Sequence, residues 1–383
     1  MKTANESLSA LLNSRQSTGS LRQLRQPTGL VDFCSNDYLG LARSPELREA
    51  IAASLGSFAG HPNGSTGSRL LAGNAALAES LEAEIAAFHG AEAALLFNSG
   101  YDANIGLLAS VPQRGDTLLT DELIHASMID GARLSYATRH KFRHNDLDDL
   151  ESKIRKATGT VYVAVESVYS MDGDLAPLAD LCDLCDRYGA ALLVDEAHAT
   201  GLFGPRGEGV VSALGLENRV FARVHTFGKG LGVHGAVVLG SSLLRDFLIN
   251  FARSFVYTTA LPPHSLLAIR AAYEHLQTHT YKIHQLHTLR AFFVQQATGQ
   301  MPEADWLLTE SAIQGLVVPG NEACRAVATD LQASGLDVRP ILSPTVPAGR
   351  ERLRICLHTF NTEAEIFALV QQLKTTLSTV THD

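Results

Sequence analysis

The sequence predicts an α/β fold: a large domain on a mostly parallel central sheet, followed by a smaller α+β C-terminal domain. Three observations carry this expectation. Short apolar runs alternate with helical patterns from Ala93 to Leu239. Several of those runs are apolar at successive positions, as strands covered on both faces by helices must be. From about residue 276 the alternation gives way to a different order of strands and helices. A chain of 383 residues suits two lobes, and the expected organisation is an N-terminal segment 1–40, a large domain 41–275 and a small domain 276–383.

The elements follow in order. Pro45 to Leu55 has helical spacing with proline in the first turn, and a Gly- and Ser-rich loop runs on to Arg69. Ala75 to His89 is amphipathic, with Leu77, Leu81, Ile85 and Phe88 on one stripe and Gly90 as its stop. Strands are predicted at Ala93–Phe97, Thr117–Thr120, Val161–Glu166, Ala191–Asp195, Val220–Thr226 and Ala236–Leu239. Helices are predicted between them at Ala103–Ser110, Leu147–Lys156 and Pro177–Tyr188. In the smaller domain, strands at Trp306–Glu310, Gln314–Val318 and Arg352–Leu357 accompany helices at Glu322–Ser334 and Glu363–Leu377.

Composition removes several classes of function. The formal net charge of −9 is spread along the chain, and basic clusters such as Arg350 to Arg354 are short and interrupted. Nucleic-acid binding is not expected, because phosphate affinity requires a concentrated cationic surface. The N-terminus is polar and no run approaches the roughly 20 apolar residues that span a bilayer, so a cytoplasmic protein without membrane association is expected. Five scattered cysteines fit a reducing compartment. Cys182 and Cys185 form a C-x-x-C with no second pair, and the surrounding pattern makes them ordinary helix residues; no metal is expected.

Three other motif matches fail on context. Gly230 to Gly235 reads G-x-G-x-x-G, but a strand and not a helix follows it, so no helix N-terminus is there to receive a pyrophosphate. Asp195-Glu196-Ala197-His198 resembles a helicase acidic box, yet no phosphate-cradling G-x-x-x-x-G-K-[ST] precedes it. The acceptor patterns at Asn5 and Asn63 carry no weight without a secretory route.

A different set of residues coheres. Lys229 stands in a glycine-rich turn after an apolar strand; alone, it would be an ordinary loop lysine. Asp195 ends a buried strand, where a carboxylate needs a cation, donors or a role as a helix cap. His198 follows three residues on. Ser99-Gly100-Tyr101 opens a helix whose free N–H groups favour a phosphate. His125 has the flat ring that can support another, although a lone histidine is more often structural. Pyridoxal phosphate (PLP) requires this inventory: a lysine for a Schiff base, an acid beside the pyridine nitrogen, an anion hole and a flat support.

All of these but His125 fall within a series of longer stretches: Ser35 to Leu41, Gly64 to Arg69, Ser99 to Asn104, Glu166 to Asp174, Asp195 to Gly201, Thr226 to Gly230 and Pro344 to Gly349. Their order and content resemble the α-oxoamine synthase family of fold-type I PLP-dependent transferases, whose fold is aspartate aminotransferase-like. The resemblance implies that Lys229 holds the cofactor and removes the α-proton of an amino acid. It implies that Asp195 pairs with the pyridinium, that His198 contacts the phenolic oxygen and that His125 stacks on the ring. Gly100, Tyr101, Glu166, Ser170 and Thr226 are implied cofactor contacts, with Thr226 close to the phosphate. Thr258 and Thr259 match a pair that reaches the phosphate from a second subunit, which implies a homodimer with shared active sites. Arg22, Asn36, Thr345 and Arg354 match substrate positions, together with His125; Arg354 has the bidentate fork that suits a carboxylate. The segment from Arg22 to Asn36 is shorter than in many relatives, which carry a small hairpin there, and this leaves Arg25 as an alternative to Arg22.

The implied reaction is a decarboxylative condensation of an amino acid with an acyl thioester of CoA or acyl carrier protein. Members of the family differ in using alanine, glycine or serine. The Pro344 to Gly349 run and the short length favour L-alanine with a pimeloyl thioester. Another amino acid and acyl donor, an aminotransferase on the same fold, or a protein that only binds the cofactor are the alternatives.

Overall fold

Seven strands form one sheet in the computed structural model, which describes residues 2–24, 29–58, 60 and 62–380. They are β1 (Ala93–Phe97), β2 (Thr117–Asp121), β3 (Thr138–Phe142), β4 (Val161–Glu166), β5 (Ala191–Asp195), β6 (Ala222–Thr226) and β7 (Ala236–Gly240). Their spatial order is β1-β7-β6-β5-β4-β2-β3. The run from β3 to β6 is parallel throughout, whereas β7 lies antiparallel to both β6 and β1. Parallel neighbours need crossovers long enough for a helix. Ala126–Leu134, Leu147–Ile154 and Leu178–Tyr188 supply them on either side of β3 and between β4 and β5.

The apolar runs are explained by two cores, one on each face of the sheet. Leu118, Ala164, Leu193 and Val224 pack with Leu107, Met128 and Leu248 on one side. Leu119, Val163, Leu192 and Val194 pack with Leu150, Leu181 and Cys185 on the other. Successive residues of one strand point to opposite faces, so both must be apolar when both faces are covered. Cys182 and Cys185 are buried in that second core as helix residues, and no group of potential metal ligands occurs among the described residues. The strand after Gly235 is β7, which confirms that the G-x-G-x-x-G match lacks its helix. No helix among the described residues is long and apolar enough to cross a membrane.

Several boundaries move. The helix expected from Ala103 begins at Gly100, because the Ser99 side chain caps it by accepting from the Asp102 amide. The strand expected from Val220 begins at Ala222. Strand β3, absent from the expected set, is a sheet-edge strand with four of its five residues exposed, so it lacks an apolar signal. The polar N-terminal segment holds a helix, Ala4–Ser17, closed by a capping box between Thr3 and Glu6 and with no buried residue.

The chain divides into two compact units. The larger contains residues 36–170 and 174–287. The smaller contains 1–35, 171–173 and 288–383. The expected boundary at 275/276 falls inside the helix Pro263–Thr278, and the first 35 residues group with the C-terminal ones. Within the smaller unit, Val31–Asp32 pairs in parallel with Leu336–Asp337, which ties the two ends of the chain together. Its main sheet is antiparallel, with β8 (Trp306–Leu307), β9 (Ile313–Val317), β10 (Arg339–Ile341) and β11 (Arg352–Cys356) in the order β10-β11-β9-β8.

Candidate active site

The C-terminal ends of β4, β5 and β6 deliver Glu166, Asp195 and Thr226 to one place, where ligands bind in open parallel sheets. A cavity of about 280 Å³ there is lined by these three residues and by Asn36, Gly100, Tyr101, Asn104, His125, Ser127 and Lys229, among others, all of the larger unit. Positions far apart in sequence thus converge, as the motif reading required.

Lys229 leaves the sheet in the turn between β6 and β7. Its Nζ lies 2.8 Å from His198 Nε2, and the other ring nitrogen of His198 lies 2.8 Å from the hydroxyl of Tyr38. Tyr38 in turn donates to Asn36 Oδ1 at 3.0 Å. Gly232, at φ +65°, lets this turn pass against Ala42, whose nitrogen would stand 2.2 Å from an added Cβ.

Asp195 is buried, and both of its oxygens have donors. The Ala197 amide reaches Oδ1 at 2.8 Å and Asn104 Nδ2 reaches Oδ2 at 2.6 Å. Asn104 uses its second N–H on Ser127 Oγ at 3.0 Å. With that lone pair engaged, the Ser127 hydroxyl donates to His125 Nδ1 at 2.7 Å, where the Ser127 amide also points, at 3.2 Å. Nδ1 is therefore an acceptor, and the neutral His125 ring carries its proton on Nε2. Burial lowers the pKa of His125, the Lys229 cation lowers it further and Asp195 opposes them.

The anion-binding end is built from β1, the helix Gly100–Ser110 and Thr226. A Cβ on Gly100 would lie 2.3 Å from Thr226 Cγ2, so only glycine fits. Thr226 Oγ1 is buried without a hydrogen-bond partner. An unpartnered hydroxyl beside a capped helix N-terminus fits a phosphate group. Asn98 Nδ2 donates to Thr258 Oγ1 and to the Thr259 carbonyl, both at 2.9 Å, which fixes that pair within this chain. The Tyr101 hydroxyl bonds the Asp130 carboxylate in a short contact. Ser170 is buried just beyond β4.

Three substrate expectations fall in the smaller unit. Arg354 lies half-buried on β11, with Nη1 3.0 Å from Cys356 Sγ. Thr345 and Arg22 are exposed, and Arg25 lies outside the described residues. Sequence reasoning missed Asn104, Ser127 and Tyr38. The one available signal was Asn104 itself, a polar residue among the buried Ala103, Leu107 and Leu108 of its helix.

Residues 28–373 match the family model of class I and II aminotransferases. The 8-amino-7-oxononanoate synthase of Emericella nidulans is 46% identical over 401 residues, covering 98% of this chain and 96% of its own. A serine palmitoyltransferase from S. paucimobilis, solved with bound PLP-myriocin aldimine, matches with TM-score 0.88 and 27% identity, covering 99% of this chain and 98% of its own. The 8-amino-7-oxononanoate synthase structure from Francisella tularensis has TM-score 0.77 and 26% identity, covering 91% of this chain and 98% of its own.

Proposed function

As the chain belongs to the class I and II aminotransferase family, we propose that it condenses L-alanine with a pimeloyl thioester, with loss of carbon dioxide, to give 8-amino-7-oxononanoate. It is a PLP-dependent enzyme of the fold-type I class. The observation that carries the chemistry is the meeting of Lys229, Asp195 and the Gly100 helix start in one cavity. The choice of substrates rests on the 46% identity to the Emericella nidulans synthase along nearly the whole of both chains.

Bound PLP supplies an electron sink for carbanion charge beside its ring. Lys229 would hold it, Asp195 would keep the pyridine nitrogen protonated, and Gly100 and Thr226 would receive the phosphate. Asn104 and the Ala197 amide hold the Asp195 carboxylate in one orientation. His198, oriented by Tyr38, stands against the Lys229 amine, where a base must take up and return the α-proton of the amino acid. His125 offers Nε2–H while its Nδ1 is tied down. Arg354, Thr345, Arg22 and Asn36 are the proposed substrate contacts, with Arg354 for a carboxylate.

A homodimer with shared active sites is part of this reading. Leu71 and Tyr257, 85% and 72% exposed, flank the glycine-rich loop and the Thr258–Thr259 pair respectively, and such exposure suits burial in an assembly. A cytoplasmic location belongs to the reading as well.

The experiment is a substrate panel. PLP-loaded protein is given L-alanine, glycine or L-serine with pimeloyl-CoA, acetyl-CoA or palmitoyl-CoA, and free thiol and carbon dioxide are measured. Release of both with L-alanine and pimeloyl-CoA is the expected result. Release confined to glycine and a short acyl donor, or to serine and palmitoyl-CoA, would overturn the assignment.

A further inference from the structure

Two buried groups of the cavity lining have an oxygen without a hydrogen-bond partner in the chain: Thr226, placed for a phosphate, and Glu166. Glu166 ends β4 directly beside Asp195, its register partner on β5. It is 2% exposed, lines the same cavity, and its Oε1 has no hydrogen-bond partner. One oxygen of Asp174 is also without a partner, but Asp174 does not line the cavity, and the fully buried acid next to Asp195 is satisfied. Glu196, fully buried one residue past Asp195, accepts from the Val210 and Val211 amides at 2.9 and 2.7 Å and from Ser167 Oγ at 2.9 Å.

Two carboxylates at neighbouring strand ends cannot both ionise cheaply in a buried site. Asp195 has two donors on its oxygens, one on each. Glu166 lines the cavity and has none on Oε1. The groups facing it are Asp195 from β5, Lys229 from the β6–β7 turn, the amides of His125 and Ser170, and Tyr169 just beyond β4. Burial and the Asp195 charge push the Glu166 carboxyl well above the usual carboxylate range, outweighing the Lys229 cation and the two amides.

We propose that Glu166 stands in the loaded site as a neutral carboxylic acid and donates its O–H to the phenolic oxygen of PLP. The acceptor follows from the chemistry of the ring. The cofactor is fixed by its nitrogen at Asp195 and by its aldehyde carbon at Lys229. One ring edge between those points carries the phosphate arm, for which Gly100 and Thr226 are placed. The other carries the phenolic oxygen, and because β6, β5 and β4 stand side by side in that order, Glu166 on β4 flanks Asp195 on the side away from Thr226, where that edge would lie.

The inference rests on the PLP reading, and its test needs neither amino acid nor thioester. Infrared difference spectra of PLP-loaded wild-type and Glu166→Gln protein at neutral pH should show a protonated-carboxyl carbonyl band that the variant loses. Glutamine keeps a neutral donor, so Glu166→Gln should retain the wild-type PLP dissociation constant and the pH midpoint of the visible absorbance. Glu166→Leu should weaken PLP binding by about tenfold, as expected for a lost hydrogen bond to a charged acceptor. It should also raise the pH midpoint, because a phenolate without its donor holds the adjacent proton more tightly. If Glu166→Leu does not fold, the infrared band and the Gln variant decide. A spectrum with only carboxylate bands, or a Gln variant with weakened binding and a shifted midpoint, would overturn the proposal. PLP uptake by the wild type separates the two readings: no uptake overturns both, and uptake with an ionised Glu166 overturns this one alone.

Discussion

Asn104 donates to Asp195 across 2.6 Å and, with its other N–H, to Ser127, so one amide joins the carboxylate at the end of β5 to the ring of His125. The two residues are 91 positions apart, and Asn104 is 3% exposed. A buried amide with both N–H groups engaged cannot rotate without stranding a donor. Asp195 and His125 therefore keep a fixed mutual orientation.

Replacing Asn104 by alanine should remove that constraint while leaving the Lys229–His198 contact intact. A lost hydrogen bond to a charged group corresponds to about a 10- to 100-fold fall in kcat/KM, with weaker PLP binding alongside it. Steady-state kinetics and PLP titration of Asn104→Ala check this. Wild-type values would show that the Ala197 amide suffices to hold Asp195.

Gly100→Ala brings a methyl group within 2.3 Å of Thr226 Cγ2. Overpacking of this kind costs about 1–3 kcal/mol, and here it falls where the phosphate is expected. PLP affinity should drop. Thr226→Ser removes the clashing methyl and keeps the hydroxyl, so the double variant should recover much of the loss in a PLP titration. A double variant no better than Gly100→Ala alone would mean that Cγ2 is not the obstacle.

Stability should fall on both sides of about pH 6.5, for separate reasons. Burial pushes His89 down to about 3, and His225 is also held well below its usual value, chiefly by burial. The unfolded chain protonates both below the ordinary value of 6.5, so their share of stability is complete above that pH and declines as the pH falls. His144 has the opposite sign. Hydrogen bonds to Asp121 and Asp174 raise it to about 10 against the effect of its burial, so its share is complete below 6.5 and is lost as the pH rises toward 10. Melting temperatures across this range should show His144→Gln flattening the alkaline decline. An unchanged alkaline limb would remove His144 from the account.

Much of this architecture was legible because burial writes itself into sequence. Strands such as β4 and β5 are apolar on both faces and stood out. Strand β3 did not, because Thr138 to Lys141 face solvent and read as a polar loop. The helices Pro263–Thr278 and Tyr281–Gln300 also escaped, since their apolar residues are diluted by histidines and polar groups. At the site, Asp195 and Gly100 stood out because a strand end and a helix start give each an unusual chemical cost, whereas Lys229, in the turn after β6, stood out only in their company. Asn104, Ser127 and Tyr38 were not, because their importance lies in contacts across 91, 23 and 160 positions, which no local pattern records.

The most direct measurement is the site of covalent PLP attachment. Borohydride reduction of the PLP-loaded protein, followed by proteolysis and mass spectrometry, should place a single pyridoxyl adduct on Lys229. An adduct on another lysine, or none on a protein that has taken up the cofactor, would contradict the account.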